Sequence, residues 1–178
     1  IKDGLLRVKP IDLPKMVCIR KRSKVRPKAT KKILGKSIEE RPETITNRSE
    51  FGHWEIDLML GKKTRGEAVV MTLVERQTRF AIAVKLANKQ AETINRAVKS
   101  LLSQYPIRSI TSDNGSEFSS LSDLKSVEVY FAHPYASHER GTNENFNGLL
   151  REFLPKGVSL NSLTTEELNH YVSAINDR

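Results

Sequence analysis

Hydrophobic and polar positions alternate from Trp54 to Leu60. Trp54, Ile56, Leu58 and Leu60 fall on one face, and Glu55, Asp57 and Met59 on the other, which is the period of a β-strand. Two further strands are predicted over Ala68 to Val74 and Arg79 to Leu86, both rich in Val and Ile and joined through Glu75-Arg76-Gln77-Thr78. The period then lengthens. Ala91, Ile94, Val98, Leu101 and Leu102 recur at helical spacing, so Gln90 to Tyr105 reads as a helix with a core-facing stripe. Ile107 to Ser112 and Val127 to Phe131 give a fourth and a fifth strand, separated by a short helix. At about 100° per residue, Phe146, Leu149, Leu150, Phe153 and Leu154 gather on one side of another helix, opposite Glu144, Asn147, Gly148 and Arg151. Thr142 is placed to cap its start and Pro155 marks its end. A last helix opens at Thr165. Three strands in succession, followed by alternating helices and strands, define an α/β chain without internal repeats.

Three acids stand at informative points of this pattern. Asp57 lies mid-strand, on the face opposite the apolar residues. Asp113 follows a strand and opens Asp113-Asn114-Gly115, a strong turn signal at the carboxyl end of a strand, where open α/β sheets place ligand sites. Glu144 sits near a helix start on a polar stripe, with Arg151 two turns further along that face. Each also has an ordinary structural reading: a hydrogen-bonded strand acid for Asp57, an Asx turn for Asp113, and a favourable acid in a first helical turn for Glu144.

The local sequences around the acids decide between these readings. Gly52-His53-Trp54-Glu55-Ile56-Asp57, Ser112-Asp113-Asn114-Gly115-Ser116-Glu117-Phe118, and His133-Pro134-Tyr135-Ala136-Ser137 through Arg140-Gly141-Thr142-Asn143-Glu144-Asn145, Asn147-Gly148 and Arg151 resemble bacterial insertion-sequence transposases with an integrase-type DDE core, closest to the group named insertion-sequence family thirty. The likeness covers Phe51 to Arg178. One departure is that Asp113 and Glu144 lie 31 positions apart, fewer than the class leads one to expect, which is attributed to a trimmed connection near Ser119 to Ser126. The resemblance implies a ribonuclease H-like fold, with a five-stranded mixed sheet flanked by helices and a basic extended segment in front. It also implies that Asp57, Asp113 and Glu144 are catalytic and hold two Mg²⁺ ions, with Mn²⁺ as a substitute, and that Asp57 is shared by both. Hard cations prefer such oxygen ligands. The implied reaction is hydrolysis at a transposon end, then attack of the freed 3′-hydroxyl on target DNA. The implied partners are terminal inverted repeat DNA, target DNA and further copies of the chain in the active assembly. Arg140, Asn147 and Arg151 are expected to contact DNA. Glu55 and Glu117 are expected to pair with cations, while His133 and Trp54 are read as structural.

Charge distribution divides the chain. Residues 1–50 hold 15 Lys/Arg against 6 Asp/Glu, and residues 51–178 hold 15 of each, so the whole net charge of +9 lies in the first 50. Residues 1–50 are therefore read as a basic linker or DNA-contacting segment, and residues 51–178 as the catalytic core. Arg20, Lys21, Arg22 and Lys24 begin a tract suited to neutralising phosphates without reading sequence; a solvated linker is the plainer alternative. The chain starts at Ile1 and ends within a predicted helix, and is expected to be a piece of a longer protein. With Cys18 alone there is neither an internal disulfide nor a cysteine-based zinc site. No apolar run is long enough to span a membrane, and a cytoplasmic, nucleoid-associated location is expected. Two other functions remain open from the residues: a ribonuclease H-like nuclease without strand transfer, and a non-catalytic DNA-binding or assembly fragment.

Overall fold

The computed structural model describes residues 34–134 and 136–178. Arg20, Lys21, Arg22, Lys24 and Cys18 lie outside them. One six-stranded sheet organises the described residues, in the order β1-β6-β5-β2-β3-β4. Its strands are β1 (Lys36–Ser37), β2 (His53–Leu60), β3 (Val69–Glu75), β4 (Ala81–Leu86), β5 (Ser109–Ser112) and β6 (Glu128–Phe131). The first three long strands form an antiparallel meander, β2 to β3 to β4. On the other side of β2, β5, β6 and β1 add in parallel. The helices are α1 (Glu43–Thr46), α2 (Ala91–Leu102), α3 (Gly141–Phe153) and α4 (Thr165–Asn176). This is the mixed sheet with flanking helices of a ribonuclease H-like fold.

Strand alternation sorts the core into two layers. Trp54 and Ile56 of β2 and Val69, Met71 and Leu73 of β3 pack with Ile94, Val98 and Leu101 of α2. Met59, Val70 and Val74 point the other way, to Phe146 and Leu150 of α3 and Leu168, Val172 and Ile175 of α4. With helices on both faces β3 has no solvent side, and all seven of its residues are buried. Trp54 is a core residue, edge-on to Phe80 and Tyr105.

The structure departs from the sequence reading at three places. A sixth strand, β1, comes from within residues 1–50, so the sheet draws on part of the segment read as a linker. Gly35 lets it pair there, since a Cβ at this position would meet the Phe131 ring at 2.8 Å. Leu60 is exposed at the end of β2 and does not share the buried face of Trp54 and Ile56. Thr142 does not cap α3: Gly141 already begins the helix, Arg140 is the N-cap without a side-chain bond, and Thr142 is buried in the first turn. In α4, by contrast, Thr164 and Glu167 form a full capping box.

Candidate active site

The register of two parallel neighbours places the first two acids. β2 and β5 pair Glu55 with Thr111. Two residues beyond that pair stand Asp57, in the middle of β2, and Asp113, just past the carboxyl end of β5. Asp113 makes the turn expected of its sequence, its Oδ1 accepting from the Gly115 amide at 2.9 Å. Gly115 gives both acids room, because a Cβ there would lie 2.8 Å from that oxygen and from the Glu117 carboxyl group.

Both carboxylates face one guanidinium. Arg140 Nη1 is 3.3 Å from Asp57 Oδ1 and Nη2 is 3.6 Å from Asp113 Oδ2. Nη1 also donates to the Ile56 carbonyl at 3.3 Å. The Arg140 side chain is 12% exposed, against 29% and 38% for the two acids. Burial pushes the Asp57 carboxyl group above its ordinary range. The Arg140 charge and the Leu58 amide at 2.9 Å pull it back, and the nearby Asp113 charge adds to the rise.

The helix that carries Glu144, α3, is docked on the sheet by two asparagines. Asn143 is fully buried. Its amide donates to Glu55 Oε2 at 2.9 Å, and its side-chain Nδ2 donates to the carbonyls of Glu55 at 2.8 Å and Thr72 at 3.3 Å. One turn along, Asn147 Nδ2 donates to Asp57 Oδ2 at 3.0 Å. The Thr72 hydroxyl lies 3.0 Å from the amide oxygens of both asparagines. Beneath them, Glu55 is wholly buried and ion-paired with Arg76, which also donates to the Ile45 carbonyl at 3.2 Å. Arg41 donates to Thr111 Oγ1 at 3.3 Å, and burial, helped by the Arg76 charge, brings its guanidinium down to about 10.

Glu144 itself is exposed, one turn before the asparagine that touches Asp57. Two carboxylates converging on one cationic group are a donor set suited to a hard cation. The third acid does not join them: among the described residues, no group of three His, Cys, Asp or Glu side chains is gathered closely enough to hold a metal ion. Of the residues expected to contact DNA, Asn147 is bonded to Asp57 and Arg140 bridges the two acids. Arg151 holds the carbonyls of Leu60 at 2.9 Å and Leu154 at 3.3 Å. His133 ties down the approach to α3, its Nδ1 2.8 Å from Glu139 Oε1 and its amide donating to Glu139 Oε2 at 2.8 Å. Asn143, Thr72 and Arg41 escaped the sequence reading. For Asn143 there was a usable signal, because its four-residue spacing from Asn147 puts both on one helical face.

One acid within a strand and one just past its parallel neighbour, in a sheet of this order with α3 packed on it, define a ribonuclease H-like core of the integrase type. The integrase core domain family matches residues 47–139, which takes in Asp57 and Asp113 and stops short of Glu144. The chain belongs to that family. It is 62% identical over its full length to 52% of the probable transposase for insertion-like sequence element IS1161 of Streptococcus salivarius. Over 82% of its length it is 36% identical to 39% of the transposase InsI for insertion sequence element IS30A of Escherichia coli. These relatives place the resemblance in the insertion-sequence group recognised from the motifs, and the chain spans about half their length or less. The catalytic core domain of BIV integrase superposes with a TM-score of 0.47 and 19% identity, covering 57% of this chain and 67% of that one; the fold assignment rests on the strand order and the family match instead. Among the described residues no helix is long and apolar enough to cross a membrane.

Proposed function

We propose that this chain is the catalytic core of a DNA transposase, which hydrolyses a phosphodiester at a transposon end and transfers the freed 3′-hydroxyl to target DNA. The observation that carries the reading is the convergence of Asp57, within β2, and Asp113, just past β5, on a single cationic group. Asp57 and Asp113 would hold Mg²⁺, or Mn²⁺ in its place, with Glu144 as third ligand and Asp57 shared between two ions. Such ions, when bound, activate the attacking oxygen and stabilise the departing one. The chain's own residues supply position. Asn147 fixes the Asp57 carboxylate by its hydrogen bond, the Asx turn fixes Asp113, and Asn143 sets the height of Glu144 on α3. Arg140, released from the acids, is the nearest cation to receive a DNA phosphate, and Arg151 lies on the same side of α3. Terminal repeat DNA, target DNA and a homo-oligomeric assembly in the bacterial cytoplasm complete the proposal.

The test is incubation with Mg²⁺ or Mn²⁺, a labelled terminal-repeat duplex and a target duplex. Asp57→Asn, Asp113→Asn and Glu144→Gln run in parallel. Metal-dependent joined products that vanish in all three variants are expected. Joining retained in one variant removes that residue from the set, and cleavage that never proceeds to joining refutes strand transfer.

A further inference from the structure

Two residues other than glycine have positive φ among the described residues, and both are arginines: Arg48 at 59° and Arg79 at 65°. Each occupies a position where glycine is the default. Arg48 follows the C-cap Asn47 of α1, the place where helices turn left-handed. Arg79 closes the β3–β4 turn, with the Glu75 amide donating to the Phe80 carbonyl at 2.8 Å, where the left-handed residue is again usually Gly. Holding an L-residue in this conformation brings its Cβ too close to the following carbonyl oxygen and is strained. A β-hairpin and a helix end have no local need for a long cation at these points.

The two arginines meet at one cavity. It has a volume of about 830 Å³ and lies between the β3–β4 turn, the first turn of α3 and the end of α4. Arg48, Arg79 and Arg178 line it together with Phe80, Thr142 and Asn145, and no Asp or Glu is among its lining residues. The guanidinium groups of Arg48 and Arg79 are exposed and make no hydrogen bond or ion pair with a described residue. The acids closest in sequence are occupied elsewhere. Glu75 is wholly buried and accepts from the amides of Gly52, Gln77 and Thr78, and Glu50 faces Arg108 and His53. The cavity is also distinct from the carboxylates. Thr142, Asn145 and Leu149 line it from α3, whereas Asn143 and Asn147 face Asp57 and Glu55. Phe80 is 42% exposed at its rim, an apolar surface for a sugar or a base beside the cations.

We infer that this cavity is a second DNA-contacting site, in which Arg48 and Arg79 grip a backbone phosphate on the flank of α3 opposite the acids. The paired charges of Arg48 and Arg79, with no Asp or Glu in the lining, favour a phosphodiester, and backbone strain held at two separate turns for one shared pocket points to a ligand and not to folding. The inference rests on the transposase reading for the identity of its ligand.

The test is the salt dependence of DNA binding by the whole chain, measured for Arg48→Gly/Arg79→Gly and for the charge-matched control Arg96→Gln/Lys99→Gln, whose residues lie on α2 across the sheet. Every phosphate that the protein no longer neutralises lowers the slope of log K against log salt by about 1, so the glycine pair, which frees the one phosphate it grips, is expected to lower it by about 1. Its melting temperature should not fall, because glycine suits both turns. Arg48→Asn/Arg79→Asn repeats the measurement with residues that also accept positive φ, and should give the same slope. An unchanged slope, or a drop no larger than that of the α2 control, overturns the site. Strand joining by the unaltered chain is followed in the same preparation. Its absence with the slope difference present counts against the transposase reading alone, while joining without a slope difference counts against the cavity alone.

Discussion

Removing Arg76 should unfold this protein at markedly lower temperature, because it would leave a carboxylate stranded in the interior. Glu55 is 0% and Arg76 6% exposed, so neither charge has water to fall back on. Breaking a buried pair by deleting one partner costs about 3–5 kcal/mol. In a chain of this length each kcal/mol is worth about 2–4 °C of melting temperature, so Arg76→Met should lower it by roughly 6–20 °C. Methionine keeps most of the volume, so the loss is electrostatic and not a cavity. Two lesser losses point the same way, since Arg76 also donates to the carbonyls of Ile45 at 3.2 Å and Thr46 at 3.5 Å. The assay is urea unfolding extrapolated to water, with Glu55→Gln and the double variant completing a cycle. Glu55→Gln/Arg76→Met should recover more than half of the single-variant loss, because a neutral amide oxygen can still accept from the Asn143 amide and no unpaired charge remains. A loss below about 1 kcal/mol for Arg76→Met, or a double variant that costs the sum of the singles, would refute the argument.

Two further predictions concern titration. Arg140 is the strongest influence opposing the burial that raises Asp57, so Arg140→Gln should push the Asp57 carboxyl group higher still; a ¹³C-detected titration that finds its midpoint unmoved or lowered contradicts the geometry. The hydrogen bond to Glu139 raises His133 above its ordinary 6.5. A raised histidine stabilises the fold below that ordinary value and loses its contribution as pH climbs through the folded pKa. Glu139→Gln should return the His133 midpoint towards 6.5 in an NMR titration and leave less change in stability across that window.

What the chain disclosed by its pattern was set by local rules. The alternation at Trp54 to Leu60 found β2, and the helical stripe through Ile94 and Val98 found α2, because both elements send apolar residues into the core at a regular spacing. The Asp113 turn was legible since Asp-Asn-Gly specifies its own geometry. β1 was not, because two residues carry no period and its pairing depends on Gly35 passing close to Phe131. The start of α3 was misjudged by two residues for a related reason. Thr142 has the chemistry of a cap, but its burial in the first turn is decided by packing against distant strands. Arg140 was expected to contact DNA, whereas its place between the two acids joins residues 83 and 27 positions away and has no sequence signature.

The same distinction separates the three acids. Asp57 and Asp113 are fixed by strand register, which a sheet buried on both faces holds firmly, since a one-residue slip would turn every side chain over. Glu144 has no such guarantee. Apolar residues such as Phe146 and Leu150 hold α3 against the sheet, but a hydrophobic stripe fixes distance better than rotation or height. Those are set by Asn143 and Asn147, whose bonds run to Glu55, Thr72 and Asp57. Each such bond contributes only about 1 kcal/mol net, while losing it inside the protein costs about 1–3, so the asparagines specify a helix position more than they stabilise it. One of those bonds ends on Asp57 itself. Asp57 and the helix that carries Glu144 are therefore tied together through Asn147.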